Sequence, residues 1–150
     1  MTNRTWVLAA AAVGSVVVAA HAAGGATGPA EIRITDIESQ HSIARPHAGT
    51  VAGTVETVAQ RLYNPSLSRK PIGAATVVCT WVDTRDRSCV ATYSLPKGSL
   101  VTVGAVRTRL LYEQPIVGGT GLYDNARGSV TVTASHFRPR HEVLVFRLVG

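Results

Sequence analysis

The sequence predicts an all-β domain, an antiparallel barrel or sandwich. Three observations carry this expectation. β-branched and apolar residues alternate with period two in short runs, clusters of Gly, Pro, Asn and Ser separate the runs, and no stretch of the folded part has a helical period. Consecutive short strands joined by turns favour antiparallel pairing, and strands apolar on both faces suit a barrel that also packs outward against a partner subunit.

The chain has 150 residues, room for one domain. It opens on MTNRTWVLAAAAVGSVVVAAHAAGG, which has a single basic residue, Arg4, before the apolar run 6–20. That run has the length of a secretory signal core and is short for a membrane span. Ala20 and Ala22 put small residues at −3 and −1, so residues 1–22 read as a signal peptide cleaved after Ala22, with a retained anchor as the alternative. Residues 23–30 read as a flexible leader and 31–150 as the barrel domain. With cleavage the protein is expected to be secreted, with no remaining membrane span.

The strands are expected in order. Residues 31–38 (EIRITDIE) alternate, with Ile34, Asp36 and Glu38 on one face, and 39–53 read as a loop. A second strand covers 54–63, followed by the turn-rich NPSLSRKP. Residues 72–82 and 88–95 form a hairpin around WVDTRDRS, and Pro96-Lys97-Gly98 turns the chain into 99–106. Strands at 110–117, 128–137 and 142–149 complete a count of eight.

Cys79 and Cys89 are symmetric about residue 84, so a hairpin turning there sets them opposite each other. Opposed Cβ atoms lie roughly 4.5–5.5 Å apart, within reach of a slightly adjusted disulfide. An oxidising compartment would form that bond; free thiols are the alternative.

PIVGGTGLYDNARGSV concentrates Gly118, Gly119, Gly121 and Gly128 between β-rich runs. A Walker loop needs a Lys-Ser/Thr pair after its last glycine, and a dinucleotide fingerprint needs a following helix. Neither is here, so the glycines are read as a structural turn where the chain bends and strands cross closely. Removing Arg4 from 15 Lys+Arg leaves 14 against 9 Asp+Glu, a net charge of +5. The basic residues are scattered, which reads as a solvated surface and against nucleic-acid binding. His41, His47, His136 and His141 sit in or beside expected loops without metal-ligand spacing, so no metal is expected. Arg107 and Arg109 are read as surface partners of Glu113, with binding of an acidic substrate as the alternative. No G-x-S-x-G elbow is present, and His141-Glu142 lacks the second histidine of a zincin.

CVATYSLPKGSLVTVG followed by PIVGGTGLYDNARGSV resembles the allene oxide cyclase and dirigent protein superfamily, through its A-T-Y segment, G-G-T-G turn and A-R-G. The likeness extends back through IGAATVVC and QRLYN to the first strand. The resemblance implies an eight-stranded antiparallel β-barrel with a central cavity (calycin-like), a homotrimer, a small hydrophobic or phenolic ligand, and no cofactor. It places the family's inward acid on Asp36, with Glu38 where the plant cyclases have an asparagine. Gln60 keeps a cavity amide. Cys79 matches a cavity cysteine and Cys89 a cavity aromatic, while Val106 replaces a cavity tyrosine. Arg61 and Asn64 replace acids of the dirigent segment.

With Asp36, Gln60 and Cys79 inward, alternation brings Glu38, Glu56, Val58, Val77, Trp81, Ala91 and Tyr93 inward too. Neighbouring carboxylates in a partly dry pocket cannot both ionise cheaply, so one is expected to hold its proton. The catalytic set implied is Asp36 as acid, with Glu38 and Gln60 orienting it or a water. Glu56, Val58, Val77, Trp81, Tyr93 and Val106 would shape the cavity; Glu38 and Glu56 could equally sit in water at its mouth. The function implied is a secreted cyclase, isomerase or stereo-directing barrel. A non-catalytic ligand-binding or envelope-associated barrel is the alternative.

Overall fold

The computed structural model describes residues 30–47, 49–67, 70–107, 110–135 and 141–149. The signal and leader assignments to residues 1–29 lie outside these, as do His136 and Arg109. Eight strands follow in order: β1 (Ala30–Ala44), β2 (Val55–Tyr63), β3 (Gly73–Trp81), β4 (Asp86–Leu95), β5 (Gly98–Arg107), β6 (Leu111–Gly119), β7 (Arg127–Ala134) and β8 (His141–Val149). Each pairs antiparallel with its neighbours, and β1 pairs β8, closing a barrel. Among the described residues no helix is long and apolar enough to cross a membrane.

The alternation in the sequence becomes inside and outside here. Ile34, Leu62, Tyr93, Leu100, Val130, Val132, Leu144 and Phe146 are all buried and fill one end of the barrel. Tyr93 meets Phe146 edge to face, with ring centres 4.9 Å apart. Directly paired residues share a face, so the register carries this core around the ring: Ile34 lies opposite Leu144, and Tyr93 opposite Leu100.

The first strand is longer than its alternation indicates. It starts at Ala30, inside the expected leader, and runs to Ala44 through the expected 39–53 loop. A bulge makes this possible: the register steps from Glu38↔Gln60 to Gln40↔Ala59, leaving Ser39 as the extra residue. Ser39 Oγ donates to Ala59 O at 2.9 Å and ties the bulge down. One extra residue inverts the alternation beyond it, so His41 rather than Gln40 shares the inward face.

Cys79 and Cys89 are direct register partners in the β3–β4 hairpin and form a disulfide. Closing so short a loop contributes roughly 2–3 kcal/mol in the chain-entropy picture.

The glycine stretch is a corner, and its glycines do different work. Residues Gly121–Tyr123 form one turn of 3-10 helix after β6. A Cβ on Gly119 would meet two backbone oxygens at 2.4 and 2.5 Å, and Gly121 has φ +65°. Gly128 has φ +131°, with Arg147 O where a Cβ would sit. Gly118 departs from the expected role: nothing lies within 4 Å of its Cβ position, and it is an ordinary strand residue opposite Val101. The β5–β6 seam is irregular here. Its register shifts between Val101 and Thr102, and Thr102 pairs Ile116. Beyond that Pro115 has no N–H to donate, and the Gln114 side chain reaches Gly104 O at 3.5 Å.

Candidate functional site

The other end of the barrel is polar. Asp36 and Glu38 from β1, with Glu56, Val58 and Gln60 from β2, line an internal cavity of about 60 Å³. Val77 and Cys79 from β3, Arg87 from β4, Tyr112 from β6 and Glu142 from β8 complete its wall. Such a volume holds about two waters or the end of a larger molecule.

Asp36 is the deepest acid, 1% exposed. Its Oδ1 accepts the Glu142 backbone N–H at 3.0 Å, because the β1–β8 register sets the two residues opposite each other. Its Oδ2 is buried and has no partner among the described residues. Burial raises the Asp36 pKa to about 8; the Glu142 charge, and then that of Glu38, push the same way, against the hydrogen bond from Glu142. Asp36 is therefore a neutral acid at pH 7. Gln60 Nε2 reaches Glu142 Oε2 at 3.4 Å, so the amide touches Glu142 rather than Asp36. Burial, with the nearby Asp36 and Glu142 charges, pushes the Tyr93 phenol far above its ordinary range. Burial, then Glu142 and Tyr93, does the same to Tyr112. Both phenols keep their protons.

A chain of polar contacts lies at the mouth. His41 Nδ1 lies 3.7 Å from Glu38, and its Nε2 lies 2.9 Å from Glu56 Oε1. Glu56 Oε2 pairs with the Arg87 guanidinium, which also lies over the Trp81 ring, 5.3 Å from its centre. Beyond this layer is an outer groove of about 390 Å³, whose wall includes Ile43, Arg45, Val51, Thr54, Glu56 and Trp81. Among the described residues no three of His, Cys, Asp and Glu converge to hold a metal ion.

The structure thus brings Asp36, Glu38, Glu56, Val58, Gln60 and Val77 to one cavity. Three expected cavity residues lie elsewhere. Trp81 stands in the outer groove, because β3 ends there and Arg87 comes between. Tyr93 is in the apolar core. Val106 packs against the disulfide. Arg107 pairs with Asp86 at 3.0 Å, not with Glu113.

Four site residues were not anticipated: His41, Arg87, Tyr112 and Glu142. Arg87 had a signal, since the hairpin symmetry that pairs the cysteines also pairs Trp81 with Arg87. Glu142 had one in its alternation with Leu144 and Phe146, which share the buried face.

No family model matches the chain, and no curated protein matches it. Solved structures do. A pyocyanin demethylase superposes with a TM-score of 0.66 at 19% identity, covering 77% of this chain and 98% of that one. A pterocarpan synthase dirigent protein gives 0.62 at 18% identity, over 82% of this chain and 97% of its own. The Diels-Alderase AbmU from Streptomyces koyangensis gives 0.65 at 20% identity, over 85% of this chain and 72% of its own. At such identities the likeness is one of fold. The chain has the eight-stranded barrel fold shared by dirigent proteins and cyclase barrels, as the resemblance to the allene oxide cyclase and dirigent superfamily implies.

Proposed function

We propose that this barrel is a cofactor-independent cyclase, isomerase or stereo-directing protein acting on a small hydrophobic or phenolic natural product or a lipid-derived substrate. One observation carries the reading: Asp36, neutral at pH 7, lines an internal cavity with one carboxyl oxygen that has no partner among the described residues. A buried neutral carboxylic acid can protonate a substrate oxygen or hold one by a strong hydrogen bond. Glu38, Glu56 and Glu142 around it would stabilise the positive charge that follows. The barrels of similar fold include a demethylase, a pterocarpan synthase and a Diels-Alderase, all named for chemistry on small molecules.

The test is a turnover panel of pyocyanin, a hydroxylated isoflavonoid, and a linear molecule carrying both a diene and a dienophile. Products are resolved by chiral chromatography and mass spectrometry. Accelerated cyclisation or isomerisation of any member, or formation of one stereoisomer, supports the reading, whereas loss of a methyl group alone would mark a different reaction and overturn it. If none reacts while native mass spectrometry shows a retained small molecule, the barrel is a non-catalytic binder, a reading that the small cavity favours.

Export and assembly belong to the same proposal. The Cys79–Cys89 bond supports an oxidising compartment. Exported protein should have an intact mass lower by residues 1–22 and by two hydrogens; a full-length product with reactive thiols would contradict this. On the outer wall Val78, Val90 and Val103 are exposed and lie side by side across β3, β4 and β5. This apolar row supports the homotrimer that the resemblance implies. Light scattering at micromolar concentration should give three times the chain mass; a clean monomer would remove the trimer and leave the barrel standing.

A further inference from the structure

We propose that the internal cavity and the outer groove are two halves of one binding site, divided by the Glu56–Arg87 pair. Its ligand would be a flat, oxygen-bearing molecule that spans both. This rests on the barrel taking a small molecule, whether or not it transforms one.

Glu56 lines both spaces, so it is the wall between them. The inner space of about 60 Å³ is too small for a whole ligand, whereas the groove of about 390 Å³ falls within the usual range of ligand pockets. An independent observation joins them. The buried side-chain polar atoms that lack a partner among the described residues are Thr54 Oγ1, Arg87 Nε, Gln60 Oε1 and Asp36 Oδ2. Thr54 lines the groove, Arg87 stands at the divider, and Gln60 and Asp36 line the inner cavity. Buried polar atoms are nearly always paired, so orphans strung along one path point to partners that arrive with a ligand.

Their chemistry describes that ligand. Arg87 Nε only donates, so an acceptor oxygen belongs at the divider. Protonated Asp36 donates and Gln60 Oε1 accepts, which together suit a hydroxyl at the inner end. In the groove Trp81, Ile43 and Val51 offer a ring and aliphatic surface to a flat body.

In the proposed site the divider swings aside as the ligand enters. The side chains of Glu56 and Arg87 are 12% and 22% exposed, and His41, which holds Glu56 from the other side, is 32% exposed. The pair is partly buried, so a ligand that parts it must supply replacement contacts, which an acceptor oxygen on Arg87 would do. Arg87 stays over the Trp81 ring as it pairs with Glu56, so Glu56 is the member free to swing, and it already borders the groove.

The experiment uses 2-naphthol as probe and the Trp6→Phe chain, in which Trp81 is the one tryptophan left of two. Nuclear magnetic resonance of the Trp81 indole N–H reads both affinity and exchange rate. Val77→Phe fills the inner cavity without touching the groove, and Val77→Leu carries the same test if the phenylalanine variant fails to fold. Naphthol should shift the Trp81 signal, and the filled cavity should weaken binding about tenfold or more, as expected when a buried hydrogen bond is denied. Glu56→Ala should speed association. Naphthol bound with unchanged affinity after the cavity is filled would mean that the groove acts alone, and would overturn the proposal. So would an unchanged association rate in Glu56→Ala, or silence in both that variant and its parent. Binding seen only in Glu56→Ala would show the divider shut and support it. A protein that passes this test but turns over no substrate refutes the catalytic reading alone.

Discussion

Asp36→Asn is expected to lower turnover by a factor of about 10² to 10⁴, the usual worth of a positioned general acid. The amide matches the carboxyl in shape and its oxygen can still accept the Glu142 N–H, so the barrel should fold. What is lost is the proton. The parent protein should lose activity as pH rises through about 8, where Asp36 ionises, and the variant's residual activity should show no such step. Stability gives a second readout. The folded pKa is about 8 against an ordinary value of 3.8, so between those values the folded state holds a proton that the unfolded chain has released. Stability therefore falls as pH rises through that window, by an amount on the order of 4 kcal/mol at neutrality. The difference between parent and variant in urea unfolding, measured from pH 4 to 8, should show this slope. Full activity in the variant would remove Asp36 from the chemistry and put the binding reading first.

Gly128→Ala is expected to destabilise the barrel by about 3 kcal/mol or more, lowering the melting temperature by on the order of 10 °C. Two costs coincide at this position. The backbone has φ +131°, which L side chains rarely adopt, and a Cβ would sit 1.9 Å from Arg147 O of the neighbouring strand. Strands β7 and β8 would have to separate. Gly118→Ala is the control, with open space around its Cβ position and no positive φ; its effect should stay within about 0.5 kcal/mol. Equal effects at the two positions would refute the steric account of the corner.

The contrast between these glycines shows where the sequence could be read and where it could not. Strand-forming runs and turn clusters are local, so eight strands and an antiparallel arrangement were legible. The hairpin centre at residue 84 was as well, and with it the cysteine pairing. Period-two alternation placed Asp36, Glu56, Gln60 and Val77 correctly on one face because no irregularity interrupts those stretches. The bulge at Ser39 does interrupt, and it has no sequence mark: Ser39 resembles a loop residue, yet it extends β1 and turns His41 toward Glu56. Glu142 needed a longer-range fact, the closure of β8 onto β1, before its side chain could be set beside Asp36. Trp81 was assigned inward by alternation, but its position at the strand end leaves it in the groove. Which of four glycines are indispensable depends on what the neighbouring strand presents, and residue type alone does not reveal it.

The interrupted seam between β5 and β6 bears on how this barrel breathes. A closed ring offers no free strand edge, and so no template for another chain to add to. Partial opening creates two edges at once, and it occurs where the fewest ladder bonds must break. That place is the stretch where Pro115 withholds its N–H and the glutamine side chain stands in for the backbone. Amide protons of β5 facing β6 should therefore exchange with solvent well before those in the regular β4–β5 ladder, which runs unbroken from Asp86↔Arg107 to Leu95↔Gly98. The edge bared on β5 belongs to the strand that carries Val103, on the outer apolar row. Any subunit docked there would brace the clasp, making slow exchange a property of the assembly and fast exchange one of the isolated chain.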